Sequence, residues 1–344
     1  MELKIKALNP AGMKDWKHWF IQNAIYLVLM AVILTIILLE PSILSVRNAT
    51  FILQQAAPKL IIALGVAGVI ILGGTDLSAG KMVGIAGVIC ASLLQKPDYA
   101  LRIFKNLAPL PVIVPLLIAV SVCLVFALIH SLLISILQIA PFIASLGMSM
   151  IVYGTMSLYF DDVNHSSPIG GFDTRFTDIA QGSIQLGGFR LPFIVIYALL
   201  LTVVFWVFWN RTTLGRNMYA VGGNKEAAVV SGVNTRRVIM LVYVIAALAY
   251  AFAGFLDAGR TGSATNGLGE GYELDAIASC VVGGVSLRGG VGKISGVIIG
   301  VLIFQMLSYC LVYMDINPYI QYIIKGVIIV FAIAVDTQKY IKKR

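Results

Sequence analysis

Leu60-Ile-Ile-Ala-Leu-Gly-Val-Ala-Gly-Val-Ile-Ile-Leu72 is an unbroken run of apolar and glycine residues, and Gly73-Gly74-Thr75-Asp76-Leu77-Ser78-Ala79-Gly80-Lys81 follows it at once. The run has no polar face to offer water, so it belongs in a core or a bilayer. The rest of the chain decides between the two. Of its 344 residues 59% are hydrophobic and only 12% are charged, and mean hydropathy is +0.92; soluble domains carry roughly 25% charged residues. A water-soluble enzyme is excluded. A span takes about 20 apolar residues, so the length is consumed by spans and no separate catalytic domain fits.

Ten apolar segments can be read, at 22–39, 51–72, 82–95, 111–137, 142–160, 192–209, 237–256, 274–286, 294–312 and 318–336. The expected fold is therefore all-α, a polytopic membrane protein of about ten transmembrane helices forming a single domain over 1–344. Two stretches look broken or short, near 51–95 and 274–312. In the first, Gln54, Gln55, Pro58 and Lys59 precede the clean run; in the second, 274–286 is of similar length to that run. Irregular backbone at membrane depth survives only beside protein or a water-filled cavity, and interrupted segments at corresponding places point to a transport path. These two correspond: the pattern GGxxLxxG occurs at 73–80 and at 283–290, and each copy leads into a glycine-rich helix (Gly84 and Gly87; Gly292, Gly296 and Gly300). Glycines four apart serve close helix packing as readily as they line a path.

Charge sets the orientation. With both termini cytoplasmic, 16 of the 25 Lys and Arg fall inside: the arm 1–20, Lys81, the loop 210–236 with Arg237, Arg288, Lys293 and the tail 337–344. Eleven of the 16 acids fall outside, concentrated in 161–178 and 257–275. This is the positive-inside distribution. The loop 96–110, with Lys96, Arg102 and Lys105, runs against it. In a membrane protein the net charge of +9 reads as topology, so no nucleic-acid partner is expected.

Several chemistries are absent from the sequence. A phosphate loop needs Gly at 75 or 287 and Ser or Thr at 82 or 294; the chain has Thr75, Leu287, Met82 and Ile294. His18, His130 and His165 are scattered, and His130 reads as a hydrogen-bonded packing residue. Cys90, Cys123, Cys280 and Cys310 lie in apolar runs without ligand spacing. No metal or cofactor of its own is expected. The first apolar run lacks a cleavage pattern and reads as a retained helix.

The loop 210–236 contains the one soluble element. Lys225 to Val230 reads as a short helix with Asn224 as its N-cap, Glu226 near its positive end and Gly232 as its stop. A capped helix between two spans is a rigid knob; a plain positive loop is the alternative. Glu226-Ala227-Ala228-x-x-x-Gly232 resembles the EAA loop of ATP-binding-cassette (ABC) import permeases. The resemblance extends through Gly74-Thr-Asp-Leu-Ser-Ala-Gly80, Pro141-Phe-Ile143, Leu146-Gly147, Ile151-Val-Tyr-Gly154, Val221-Gly-Gly-Asn224 and Ser231-Gly-Val-Asn234. It continues in Ala258-Gly-Arg260, Tyr272-Glu-Leu-Asp-Ala-Ile-Ala278, Val281-Val-Gly-Gly-Val-Ser286, Asn317-Pro-Tyr319 and Ile323-Ile-Lys-Gly326. The ordered set is similar to the ribose/galactose class of monosaccharide permeases.

That resemblance implies a bacterial inner-membrane subunit without an ATPase site of its own, assembled from two copies of the chain. Its partners are a separate two-cassette ATPase, which binds the ATP, and a periplasmic sugar-binding protein. It implies coupling through Glu226, Ala227, Ala228 and Gly232, and a monosaccharide cargo: galactose or a methyl-galactoside first, another pentose or hexose as the alternative. Sugars call for planar polar groups and aromatic faces, and polar residues at membrane depth are functional candidates. Gly74, Asp76, Ser78, Ser145, Asn266, Tyr272, Glu273, Asp275 and Gly284 are the candidate path or gate residues, with Phe142 and Tyr153 as stacking or gate residues. Asp76 has an equal alternative, capping the helix that starts near Ser78 and neutralising Lys81. Lys325 reads as pairing within the bundle. An ion-coupled secondary transporter would explain the spans and the repeat but not the knob.

Overall fold

The computed structural model describes residues 27, 29–31, 33–164 and 167–341. The arm 1–20 with His18, the first residues of the 22–39 run, His165 and the last three residues of the tail lie outside the described residues. Helices run over α1 Leu29–Leu39, α2 Val46–Ile71, α3 Ala79–Leu93, α4 Ile113–Ser135, α5 Pro141–Asn164 and α6 Thr174–Gln181. There follow α7 Phe193–Arg211, α8 Thr213–Gly223, α9 Lys225–Val230, α10 Thr235–Thr261, α11 Tyr272–Val282, α12 Ile294–Tyr313 and α13 Pro318–Ile341. Six of these (α2, α4, α5, α7, α10 and α12) are long and apolar enough to cross a membrane.

Among the described residues the fold departs from all-α in one hairpin. Strands β1 Ser183–Leu186 and β2 Phe189–Pro192 pair antiparallel, with Leu186 opposite Phe189 across the two-residue loop Gly187-Gly188. Gly187 takes φ +60, the left-handed backbone that such tight hairpin loops require.

The expected break at 51–59 is not a break. α2 is continuous for 26 residues and carries Pro58 inside it. Its polar residues find partners on other helices: Gln55 Oε1 accepts from Gln305 Nε2 at 2.9 Å, and Lys59 Nζ donates to Asp275 Oδ2 at 3.1 Å. Satisfying those groups removes the cost of placing them at membrane depth, so the helix continues through them.

The interruptions that do exist are at the two double glycines. α2 closes with Gly73 N–H donating to Ile70 O and Gly74 N–H to Val69 O, both at 2.9 Å; α11 closes with Gly284 N–H to Val281 O and Val285 N–H to Cys280 O, both at 2.9 Å. Both are the paired-bond helix terminus with a left-handed residue after the cap, Gly73 at φ +88 and Gly284 at φ +82. Helix geometry thus equates Gly73 with Gly284, one residue out of step with the GGxxLxxG alignment.

The chain divides into two compact units, and Leu44–Met306 is the larger. At its centre α10 packs on α2, α3 and α4, while α11 lies on α2. α2 is the most enclosed of the six long helices and α5 the least, with 83% against 28% of their apolar windows buried. Gly254 of α10 meets the Val83 backbone of α3, and Gly65 of α2 meets Tyr250 and Ala246 of α10; a side chain at either glycine would collide. In the smaller unit, made of the terminal segments, the Ser42 and Tyr313 hydroxyls lie 2.9 Å apart.

Candidate functional site

At one end of the bundle the two interruptions meet. Gly290 N–H donates to the Ile71 carbonyl at 2.8 Å, and the Tyr219 hydroxyl donates to the Gly292 carbonyl at 2.9 Å. The joint is built from bare backbone. A Cβ on Gly289 would stand 2.6 Å from Gly222 O and 3.0 Å from Gly73 Cα; one on Gly290 would stand 2.7 Å from Gly223 Cα; one on Gly222 would collide with the Ile71 carbonyl. Ile71-Gly73, Gly289-Gly290 and the end of α8 therefore touch without side chains between them.

α8 was not legible as a helix, yet it delivers Gly222 and Gly223 to this joint and leads directly into α9. The expected short helix is present: Asn224 Oδ1 accepts from Ala227 N–H at 2.9 Å, and Glu226 sits in the first turn. Ala228 is buried, Val230 is 91% exposed, and Gly232 stops the helix at φ +80 with open space around it. A cavity of about 370 Å³ adjoins the joint, reaching Gly74, Gln138, Pro141, Asn224, Tyr243 and Arg288. Across it Lys225 Nζ donates to Gln138 Oε1 at 3.2 Å. Gly74 faces this cavity, and a Cβ there would approach the Tyr243 hydroxyl to 3.0 Å; Gly284 has open space.

A second cluster lies deeper. Lys59 meets Asp275 and Ala63 O accepts from Cys280 Sγ at 3.3 Å, so α11 runs parallel to α2 and begins about halfway along it. The Lys59 ammonium also sits 5.6 Å over the Tyr272 ring. The Tyr272 hydroxyl donates to Asp257 Oδ2 at 2.9 Å, while Arg260 grips Asp257 Oδ1 through Nε and Nη2 at 2.9 and 2.7 Å. Glu273 packs against Gly80 of α3. Lys81 is in the first turn of α3, as a helix starting near Ser78 requires, with its ammonium 4.9 Å over Tyr153 of α5. Asn266 Nδ2 lies 3.5 Å from Ser157 Oγ. Three candidates from the sequence, Tyr272, Glu273 and Asp275, thus share one polar layer. Lys59, Asp257 and Arg260 join them, although only their charge inside or beside an apolar run marked them out. Gly80 and Gly84 do packing work here, admitting the backbone of Leu268 and Gly269.

Asp76 and Ser78 form a third, enclosed group. Asp76 Oδ1 accepts from the Ser78 N–H at 2.9 Å and its hydroxyl at 2.6 Å, at the start of α3. The N-cap of α3 is Ser78, whose side chain makes no cap bond, so Asp76 braces the residue before the helix rather than capping its first turn, and Lys81 lies over Tyr153. His130 packs edge-on against Tyr243, 4.7 Å between centroids, with Nδ1 3.9 Å from Asp76 Oδ1. Neither ring nitrogen has a hydrogen bond, which corrects the expectation of a bonded packing residue. Phe142 and Ser145 stand apart on α5: Phe142 is 57% exposed, and Ser145 is buried with its hydroxyl on the Phe142 carbonyl at 3.0 Å.

A bundle of membrane-length helices, interrupted twice at one end and carrying a capped knob against the interruptions, is the frame of a polytopic membrane protein. The chain belongs to the permease family described as branched-chain amino acid transport system / permease component, whose profile matches residues 48–333. It is 50% identical over 340 residues to the galactose/methyl galactoside import permease protein MglC of Escherichia coli (strain K12), covering 99% of this chain and all of that one. The corresponding Haemophilus influenzae protein is 50% identical over 323 residues, 94% of this chain and 96% of its own. The ribose import permease protein RbsC of Bacillus subtilis (strain 168) is 34% identical over 314 residues, 91% and 92% of the two chains. No solved structure matches the chain.

Proposed function

We propose that this chain is the membrane-spanning subunit of an ABC importer that carries galactose or a methyl-galactoside inward across a bacterial inner membrane. The full-length 50% identity to a galactose/methyl galactoside import permease, against 34% to a ribose one, carries the reading. In this reading 1–344 is one permease domain of ten spans with both termini, the arm 1–20, the loop 210–236 and the tail 337–344 in the cytoplasm. The short helices α1 and α3, the 24-residue α13 and the half-length α11 make up the spans beyond the six. Two copies pair around the path. A separate two-cassette ATPase holds the ATP, a periplasmic sugar-binding protein delivers the cargo, and the chain needs no cofactor.

The mechanism follows from the joint. Motion received by Glu226, Ala227, Ala228 and Gly232 passes through Gly222 to Ile71 and Gly290, because backbone in contact with backbone has no side chain to absorb a displacement. The two glycine termini, Gly74 and Gly284 among them, then open or close the inner end. Asp76 and Ser78 hold the first interruption to α3, while Asn266, Tyr272, Glu273 and Asp275 offer hydroxyl-matching groups at mid-depth, with Phe142 and Ser145 nearer the gate. Proteoliposomes containing this chain, its ATPase and its binding protein test the reading. ATP-dependent uptake of labelled galactose supports it, and uptake of ribose in preference to galactose overturns the cargo.

A further inference from the structure

We propose that the hairpin end of the bundle binds one anionic phospholipid, its phosphate between Arg47 and Arg190 and an acyl chain in the groove between α2 and α7. A cavity of about 680 Å³ opens there, lined by Arg47, Thr50, Phe51, Gln54, Ser183 and Arg190 among others. The four ion pairs found among the described residues include neither arginine. Arg47 instead lies 5.5 Å over the Phe51 ring. Two arginines lining one space together with a threonine and a glutamine supply the chemistry that a phosphate takes.

Depth places this cavity at headgroup level. α2 spans 26 residues, about 39 Å at 1.5 Å per residue, which exceeds the roughly 30 Å of hydrocarbon. Arg47 is in its first turn, and Arg190 is three residues before α7 begins.

The second observation is what continues inward. Along the same two helices a smaller cavity of about 90 Å³ is lined by Leu53, Ala57 and Leu60 of α2, Val195 and Leu199 of α7 and Ile298 of α12. No polar group contributes to that lining surface, and Leu199 is 53% exposed at its edge. Headgroup cavity and apolar groove are in line, α2 and α7 both running inward from the hairpin. A carboxylate on a docked protein would use the arginines and leave the groove; a phospholipid uses both.

Native mass spectrometry of the detergent-purified chain tests this. Dioleoyl phosphatidylglycerol should add as a single retained molecule at concentrations where dioleoyl phosphatidylcholine does not. The double variant Arg47→Gln/Arg190→Gln should need at least about ten-fold more of the anionic lipid. Inorganic phosphate at tens of millimolar should fail to displace it, because phosphate has no chain to fill the groove. Equal retention of the two lipids by the wild-type chain overturns the proposal without reliance on any variant. So does displacement by phosphate, which makes the site one for free anions. Unchanged lipid retention in the double variant overturns it too, and if that variant also loses the periplasmic binding protein the cavity is a docking site.

Discussion

Gly290 N–H reaches the Ile71 carbonyl at 2.8 Å, across more than 200 positions of sequence, and in doing so ties the end of one interrupted helix to the loop after another. Between the same two strands of backbone sits Gly222, on the last turn of α8. In the coupling proposed above, the bond puts the knob in series with both interruptions.

Two adjacent glycines separate this account from simple packing. A Cβ at Gly222 would run into Ile71 and Gly290, whereas at Gly223 it would meet nothing within 4 Å. Gly222→Ala should cost about 1–3 kcal/mol in overpacking and lower uptake at least about ten-fold, with the ATPase still co-purifying. Gly223→Ala should transport as the parent does. Equal effects of the two in a reconstituted uptake assay would remove the joint from the mechanism.

Gly232 presents the opposite case, a residue with open space but φ +80. Gly232→Val should strain the end of α9 by about 1–2 kcal/mol, leaving ATP hydrolysis by the assembled transporter intact while uptake falls. Gly232→Asn should restore most of the uptake, since asparagine visits the left-handed region. Failure of asparagine to rescue would show that the position is constrained by its partner rather than by its backbone.

Lys59 and Asp275 join α2 to α11 with side chains that are 21% and 12% exposed. Lys59→Met alone takes the cation from a largely buried carboxylate and should cost about 3 kcal/mol, the low end for a buried pair, read as a lower midpoint of thermal unfolding in detergent. Lys59→Met/Asp275→Leu should recover most of the loss, because an apolar pair of similar volume needs no compensation. A double variant as unstable as the sum of the singles would mean that the two residues act separately.

What the sequence made legible follows from which signals are local. The α9 helix could be read to the residue because Asn224, Glu226 and Gly232 each act within one turn. The continuity of α2 could not, because Gln55 and Lys59 are satisfied by Gln305 and Asp275, 250 and 216 positions away. Likewise the one-residue offset between the glycine motifs is invisible in the letters, since GGxxLxxG aligns glycines while the helix termini align hydrogen bonds. Tyr272, Glu273 and Asp275 were found as a local acidic and aromatic group. Their partners Asp257 and Arg260 sit on α10, on the far side of the 262–271 loop.

The orientation can be tested without background, because Cys90, Cys123, Cys280 and Cys310 are all buried. Gln185 on the hairpin and Ser231 after α9 are both exposed, and the 19 residues of α7 separate them by about 28 Å, close to the hydrocarbon thickness. The charge distribution predicts α9 inside, since Arg211, Arg216, Lys225, Arg236 and Arg237 lie in or beside it, and short loops rich in lysine and arginine stay cytoplasmic. Gln185→Cys should therefore react with a membrane-impermeant maleimide in right-side-out vesicles, and Ser231→Cys only in inside-out ones. The reverse pattern would move the knob to the wrong side for an ATPase and overturn the coupling mechanism. Labelling of both from one side would mean that α7 does not span, and the topology would have to be redrawn from that helix outward.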